Sequence, residues 1–351
     1  MSEPKIVDLD EAGFSQQSAL ESHLAYESFL ALARCPQREL IVDRTLQRRT
    51  MKSGFLLAVA YGLSRRIADW SSKTRVGIVF PPGLGAYIAN LAVVFAGKVP
   101  VNLNFTLGAA SAEACMRQAD IDCLLTTKQV QLKMPLFPWP DSGVVDLVDE
   151  LKRLPKAKTL ALLSCIYLCP AQLLAKILKI PREGGDREAG LLFTSGSSGD
   201  PKGVVLTHRN VLGNCAQIDA SGLLPTTEKL IASLPIFHSF GFTVTTLVPA
   251  ATGARAVYTA RFNPRKVLEL LRKHKPTAML AIPSMFNAIL NTKSSKPDDF
   301  SSIKLAVSGG EALPDAVYEG FKDRFGLSIH EGYGLTETAP VANICLPGEQ
   351  R

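Results

Sequence analysis

Short apolar runs alternate with helical segments along most of this chain, and this alternation constrains the fold more than any other feature. Residues 75–80, 99–103 and 123–126 have the composition of buried strands. Residues 87–96 and 111–118, which lie between them, have the periodicity of helices, as do residues 53–70. We expect residues 131–150, which contain several prolines, to form an exposed connection. Strands separated by helices predict parallel sheets assembled from crossover units. We therefore expect an α/β protein.

The composition is typical of a globular protein with a large core. Of 351 residues, 46% are hydrophobic and 20% are charged, and the net charge is +7. This charge favours acidic partners, but no pattern of basic and aromatic residues supports nucleic-acid binding. The seven cysteines are scattered and odd in number, which favours free thiols in a reducing compartment. The N-terminus lacks the apolar segment of a signal peptide, so we expect a cytoplasmic protein.

Residues 151–182 form a basic stretch, with seven basic side chains and no acidic one. Its apolar part, residues 160–175, is shorter than the roughly 20 residues that span a bilayer. Two interpretations stay open: a peripheral helix on an anionic membrane surface, at the inner membrane, or a core helix with a solvated basic rim. The sequence alone favours the core helix.

A run of small hydroxyl and glycine residues follows an apolar strand at residues 191–193 and leads to a lysine. Glycines let the backbone curl so that N–H groups converge on an anion, while hydroxyls and a lysine add donors and charge. The glycine–lysine spacing differs from that of a Walker A loop. We predict a phosphate-binding loop built from Thr194, Ser195, Gly196, Ser197, Ser198, Gly199 and Lys202.

This loop and two later segments resemble, in the same order, the signature motifs of the adenylate-forming (AMP-binding) superfamily. Residues 233–242 resemble its acyl-site segment, and residues 331–338 its adenine and magnesium segment. The superfamily includes acyl-CoA synthetases, acyl-carrier-protein synthetases and luciferases. The amino-acid sequence around the motifs, including residues 97–105, resembles the synthetase part of bacterial 2-acylglycerophosphoethanolamine acyltransferase/acyl-[acyl-carrier-protein] synthetases. The resemblance covers about residues 75–346.

The resemblance implies the large N-terminal domain of an adenylate-forming enzyme, with two flavodoxin-like subdomains in alternating layers of helix and sheet. The first subdomain is expected over residues 74–225 and ends with the phosphate loop. The second is expected over residues 1–73 and 226–351 and holds the acyl and adenine sites. In the family a small mobile C-terminal domain follows. Because this chain ends at Arg351, we expect a truncated form that is poorly active alone.

The resemblance also implies a role for each motif residue. Thr336 is expected to contact the α-phosphate of ATP, and Glu337 to bind Mg²⁺. His238 is expected at the junction between the acyl group and the adenylate, without acting as a general base. The candidate catalytic residues are thus Lys202, His238, Thr336 and Glu337. Adenine binding is implied for Gly309, Gly310, Glu311, Gly332, Tyr333 and Gly334. Acyl binding is implied for His238, Phe240, Gly241, Phe242 and Pro283.

The implied activity is ATP-dependent formation of an acyl-adenylate from a fatty acid. In the intact enzyme the acyl group would then pass to the thiol of CoA or of acyl carrier protein phosphopantetheine. One alternative is a scaffold that binds nucleotide without turnover. Another is an adenylation domain for an amino acid, but these usually hold the α-amine with an early Asp, and residues 237–240 contain no acid.

Overall fold

The computed structural model describes residues 17–44, 49–194, 201–223 and 229–345. Within them, a six-stranded sheet has the order β6-β5-β3-β4-β7-β8. All neighbours in this sheet are parallel except β8, which closes an antiparallel hairpin with β7. Its strands are β3 Arg75–Ile78, β4 Val99–Asn102, β5 Leu124–Thr126, β6 Val144–Asp146, β7 Glu188–Thr194 and β8 Lys202–Thr207.

The second sheet has eight strands in the order β14-β13-β12-β11-β9-β10-β1-β2. Its six inner strands are parallel, and the two edge strands, β14 and β2, are antiparallel to their neighbours. Its strands are β1 Glu39–Asp43, β2 Thr50–Lys52, β9 Lys229–Ala232, β10 Arg255–Tyr258, β11 Ala278–Ala281, β12 Leu305–Gly309, β13 Ile329–Gly334 and β14 Val341–Ile344.

Helices connect the strands and cover the sheets. Among the described residues they are Leu24–Arg34, Ser53–Ser64, Ile67–Trp70, Leu84–Phe95, Ala109–Ala119, Lys128–Lys133, Leu147–Arg153, Lys156–Leu168, Ala171–Ile177, His208–Ala220, Val248–Thr252, Pro264–His274, Pro283–Leu290 and Asp315–Phe325. Short 3₁₀ turns lie at Ser18–Glu21, Pro297–Phe300 and Thr336–Thr338, and a π-helix runs over Phe240–Leu247. No described helix is both long enough and apolar enough to cross a bilayer.

The helices and strands that are apolar on all sides lie in the core, where the other elements cover them. The helix Leu84–Phe95 is buried around nearly its whole circumference, as expected for a helix that is apolar on all sides. It packs against the helix Ser53–Ser64, which is also almost entirely apolar. Strands β4 and β11 are buried at every position, as parallel strands covered on both faces require.

The α/β class and the parallel-rich sheets predicted from the sequence are confirmed. Several element bounds were wrong. Residues 131–150, predicted as an exposed connection, include the strand β6, because Val144–Asp146 pairs in parallel with β5. The helix predicted over residues 53–70 is interrupted between Ser64 and Ile67. The subdomain boundaries at residues 73/74 and 225/226 stay a prediction.

Candidate functional site

A cavity of about 900 Å³ lies beyond the carboxyl ends of the parallel strands of the eight-stranded sheet. The residues that follow β9, β11, β12 and β13 line one side of it, and the helix His208–Ala220 lines another. Open parallel sheets bind ligands beyond the carboxyl ends of their strands. A second cavity, of about 680 Å³, contains none of the residues predicted for the site. The larger cavity is therefore the candidate site.

Two described residues of the predicted phosphate loop, Thr194 and Lys202, belong to the neighbouring strands β7 and β8. Thr194 ends β7, lines the cavity, and pairs with Lys202 across the hairpin. The Thr194 hydroxyl donates a hydrogen bond to the Lys202 carbonyl at 3.5 Å. The Lys202 side chain is exposed and does not line the cavity. The rest of the loop, Ser195, Gly196, Ser197, Ser198 and Gly199, lies outside the described residues.

Two neighbouring strand ends bring the predicted adenine segments together. Gly309 of β12 pairs with Gly332 of β13. A Cβ on Gly309 would lie 3.1 Å from the Gly332 carbonyl oxygen, so a larger residue would require that oxygen to move by a few tenths of an ångström. Gly310 has a φ of +85°, which favours glycine. Tyr333 is 62% exposed, and its ring is available for stacking on a flat ligand. All predicted adenine residues line the cavity, namely Gly309, Gly310, Glu311, Gly332, Tyr333 and Gly334.

A tight turn after β13 presents Thr336 and Glu337 to the same cavity. The Leu335 amide donates to the Thr338 hydroxyl at 2.9 Å and to the Pro340 carbonyl at 3.1 Å, and these bonds fix the turn. The Glu337 carboxylate is exposed and forms no ion pair with a described residue. Mg²⁺ takes oxygen ligands and is commonly held by one or two carboxylates together with substrate phosphates, so this donor set fits that ion.

Three of the five predicted acyl-site residues line the cavity: His238, Phe240 and Gly241. Phe242 and Pro283 do not, which corrects their predicted placement. The Phe242 ring is fully buried against Gly190 of the six-stranded sheet. Pro283 is the first residue of the helix Pro283–Leu290 and is buried, whereas the nearby Ile282 and Met285 line the cavity. Other apolar side chains that line the cavity are Ile218, Leu234, Val244, Ile282 and Met285.

The His238 imidazole lies against the Phe237 ring, with 4.7 Å between ring centroids. Burial by the surrounding protein lowers the pKa of His238 below its usual value. The ring is therefore neutral at pH 7 and can both donate and accept a hydrogen bond. This state suits a residue that orients a carboxylate.

Sequence reasoning missed Asn214, a buried amide on the helix His208–Ala220 that lines the cavity. Its Nδ2 donates to the Val341 carbonyl at 2.8 Å, and its Oδ1 accepts from the Val341 amide at 3.3 Å. Asn214 therefore holds the edge strand β14 against a helix that follows the six-stranded sheet. The only sequence signal was a polar residue among the apolar neighbours Val211, Leu212 and Cys215, which form the buried face of the helix.

Comparison with known proteins gives the family to which this arrangement belongs. A family model described as AMP-binding enzyme matches residues 56–351. The chain belongs to the AMP-binding enzyme family. A long-chain-fatty-acid–CoA ligase of Bacillus subtilis (strain 168) is 28% identical over 290 residues, covering 77% of this chain and 52% of the ligase. The chain thus spans about half the length of this relative.

Solved structures of the family share the fold. The anthranilate CoA ligase AuaEII in complex with anthranoyl-AMP has a TM-score of 0.77 at 20% identity, over 96% of this chain and 64% of that one. ATP-bound MatB from Rhodopseudomonas palustris has a TM-score of 0.71 at 19% identity, over 93% of this chain and 63% of that one. The predicted fold of the family's large domain is therefore confirmed. The finer resemblance to acyltransferase/acyl-[acyl-carrier-protein] synthetases stays a prediction.

Proposed function

We propose that this chain carries the ATP and acid sites of an acid–thiol ligase that forms an acyl-adenylate. The observation that carries the proposal is the cavity of about 900 Å³, which gathers three sets of residues. Thr194 comes from the phosphate loop, the strand ends carry the glycine-rich segments, and the apolar end lies beside His238. A nucleotide and an acyl chain would then meet in one space.

In the proposed reaction a carboxylate oxygen of the acid attacks the α-phosphorus of ATP. A new C–O–P linkage forms, the bond to the β-phosphate bridging oxygen breaks, and pyrophosphate leaves. The protein supplies alignment and charge neutralisation. The phosphate loop and Lys202 would hold the β- and γ-phosphates, and Thr336 would contact the α-phosphate. Glu337 would hold Mg²⁺, which neutralises phosphate charge when bound.

His238 would orient the acid within this arrangement. A carboxylic acid is already ionised at neutral pH, so no general base is needed to create the nucleophile. A neutral imidazole can donate a hydrogen bond to one carboxylate oxygen and leave the other oxygen free to attack. The lowered pKa of His238 favours this neutral form throughout the physiological range.

The character of the lining supports a fatty acid as the substrate. The lining includes the aliphatic side chains Ile218, Leu234, Val244 and Ile282 together with Met285, whereas the acids among the described lining residues, Glu311 and Glu337, belong to the nucleotide segments. No described carboxylate therefore lies at the acyl end to hold an α-amine. A fatty acid, unlike an amino acid, needs no such partner.

The acceptor thiol belongs to the second half of the proposed reaction. The thiolate would attack the carbonyl carbon of the acyl-adenylate, a thioester would form, and AMP would leave. We propose CoA or the phosphopantetheine of acyl carrier protein as the source. The resemblance at residues 97–105 supports acyl carrier protein, and the relationship to CoA ligases supports CoA.

The first test measures ATP·Mg²⁺ binding by calorimetric titration of the chain and of Glu337→Gln and Lys202→Met. Each substitution removes a charge that would face the phosphates or their metal ion. We expect each to weaken binding about ten- to a hundredfold, corresponding to roughly 1–3 kcal/mol. Release of pyrophosphate on addition of palmitate, measured in parallel, reports formation of the adenylate.

Matched controls for this test are Glu319→Gln and Lys322→Met, two exposed positions on the helix Asp315–Phe325 that do not line the cavity. They should bind ATP like the unchanged chain. Binding that is insensitive to both Glu337→Gln and Lys202→Met would remove the assignment of the phosphate site. Binding that depends on Glu337 without any pyrophosphate release would favour the scaffold alternative.

The apolar lining of the cavity predicts that a substitution there changes the chain length of the acid that binds best. Met285 lines the cavity on the helix Pro283–Leu290, and Met285→Trp should shorten the space available to an alkyl chain. Each CH₂ that no longer fits costs about 0.8 kcal/mol, or roughly fourfold in affinity. We expect affinity for palmitate to fall relative to octanoate, with ATP binding unchanged. Titration with acetate, octanoate and palmitate measures this shift.

The matched control for chain length is Ser284→Trp, an exposed neighbour on the same helix that does not line the cavity. It should leave the order of acid affinities unchanged. Gly241 is unsuitable for this test, because a Cβ there would lie 2.0 Å from the Pro235 carbonyl oxygen. An unmutated chain that prefers acetate would contradict the fatty-acid proposal and leave the adenylate proposal intact.

A further inference from the structure

The helices Lys156–Leu168 and Ala171–Ile177, hereafter the basic helical pair, occupy most of the basic stretch of residues 151–182. They pack on the outer side of the helices Leu24–Arg34 and Ser53–Ser64. The Tyr167 hydroxyl donates to the Pro36 carbonyl at 3.3 Å, and the Tyr61 hydroxyl donates to the Leu178 carbonyl at 3.1 Å. The pair therefore has one face fixed to the protein and another turned away from it.

The outward face of the pair is apolar. Leu168 is 82% exposed, Ile177 63%, Leu160 61% and Leu173 51%. Leu173 and Ile177 are four residues apart and share one side of their helix. Leu168 is exposed at the end of its helix, and Leu160, about 12 Å away along the axis, is exposed at the second cavity. The inner face of this stretch packs on the core through Ile166, Leu174 and Ala175, as the core-helix interpretation requires, but its exposed side carries apolar side chains as well as the expected basic ones. Exposed apolar side chains concentrated in one segment are typical of an interaction surface.

The charges on the pair have a single sign. Lys156, Lys158 and Lys176 on the pair, and Lys179 just after it, are exposed, and none forms an ion pair with a described residue. By contrast, Arg153 just before the pair is held by Glu150 at 2.6 Å. The pair therefore combines exposed leucines with lysines that no described carboxylate neutralises.

We infer that the basic helical pair docks on the surface of an anionic lipid bilayer. Its four aliphatic side chains would enter the boundary between headgroups and acyl chains, and its lysines would face the lipid phosphates. A bilayer places negative phosphates directly above an apolar layer, so it complements lysines and leucines on the same short helices. Long lysine side chains can extend toward the headgroups while their stems stay in contact with apolar surface.

The test is cosedimentation of the chain with vesicles of phosphatidylglycerol and phosphatidylcholine, compared with vesicles of phosphatidylcholine alone. We expect binding that requires phosphatidylglycerol and weakens as salt is added. Replacing Lys156, Lys158, Lys176 and Lys179 by Gln should lower partitioning about fivefold for each lysine removed. Replacing Leu160, Leu168, Leu173 and Ile177 by Ser should also abolish detectable binding.

Two control variants distinguish binding through this surface from non-specific effects of positive charge and of exposed apolar side chains. Lys→Gln at positions 273, 275, 293 and 322 removes the same charge from exposed sites elsewhere. Leu132→Ser/Leu136→Ser removes two leucines that are 82% and 89% exposed outside the pair. Circular dichroism checks that every variant is folded.

Binding retained by both controls and lost by both test variants supports the inference. Three outcomes overturn it: no preference for phosphatidylglycerol vesicles, equal losses in the control variants, or self-association through the leucines without any vesicle binding. Analytical ultracentrifugation of the chain and of the leucine variant measures that self-association directly.

Discussion

Gly334→Ala is expected to abolish nucleotide binding, whereas Gly332→Ala, two residues earlier on the same strand, should retain most of it. A Cβ on Gly334 would lie 1.9 Å from the Pro340 carbonyl oxygen, a distance that backbone atoms cannot accept. The nearest atom to a Cβ on Gly332 would be Val307 Cγ1 at 3.4 Å, an ordinary contact. Neither glycine has a positive φ, so the two variants differ in available space and not in backbone strain.

The clash at Gly334 falls on the turn that carries Thr336 and Glu337. Gly334 pairs with Val341 of β14, and the Leu335 amide donates to the same Pro340 carbonyl. A methyl group would therefore separate β14 from β13 or shift the turn, at a cost of about 3 kcal/mol. A free energy of about 3 kcal/mol corresponds to more than a hundredfold in affinity. We therefore expect the ATP·Mg²⁺ affinity of Gly334→Ala to fall by more than about a hundredfold.

Titration of both variants with ATP·Mg²⁺, together with urea denaturation, measures these effects. Gly332→Ala should lose less than about 1 kcal/mol of stability, since its methyl group meets only ordinary contacts. Equal losses of ATP affinity in the two variants would show that the added methyl groups act by changing the cavity lining and not by displacing the turn.

The sequence predicted the parallel sheets because their strands are buried on both faces and read as continuous apolar runs. It did not predict β6, because Val144–Asp146 has only three residues and all are half-buried. Such a strand exists through its pairing with β5, and pairing partners far apart in sequence leave no local signal. Boundaries set by long-range contacts were therefore the part of the fold that escaped prediction.

For the candidate site too, the sequence predicted some features and not others. The glycine segments and the turn at Thr336 and Glu337 were predicted from motifs, and the structure brings them to one cavity. A motif cannot tell which side of a helix faces a cavity. Phe242 and Pro283 are buried and do not line the cavity, whereas Met285 does, and the acyl-binding role of this region stays a prediction.

Acid is expected to destabilise this protein through two buried histidines, His23 and His208, whose ring centroids lie 3.8 Å apart. Their Nδ1 atoms accept backbone hydrogen bonds, His23 from Ala25 at 3.0 Å and His208 from Leu24 at 3.1 Å. Burial, the neighbouring His208 and Arg187 lower the pKa of His23 to about 3. Burial and Arg187 lower the pKa of His208 to about 4.

The direction of the pH effect follows from these values. Well above pH 6.5, the pKa of an unperturbed histidine, both rings are neutral in the folded and unfolded chains, and they contribute no pH dependence. Below pH 6.5 the two histidines bind protons in the unfolded chain but not in the folded chain. The free energy of unfolding therefore falls as the pH drops toward 4. By pH 4.5 the loss should be on the order of 5 kcal/mol for the pair.

The double variant His23→Asn/His208→Asn isolates this effect, because an amide oxygen can accept the same backbone hydrogen bonds without titrating. Urea denaturation of both proteins between pH 7.5 and 4.5 should give curves that converge as the pH falls, with carboxylates contributing equally to each. Curves that stay parallel would show that the histidines keep their ordinary affinity for protons. His208 begins the helix that carries Asn214 to β14, so protonation should also loosen the nucleotide site. We therefore expect ATP affinity to fall with pH in the unchanged chain more steeply than in the double variant.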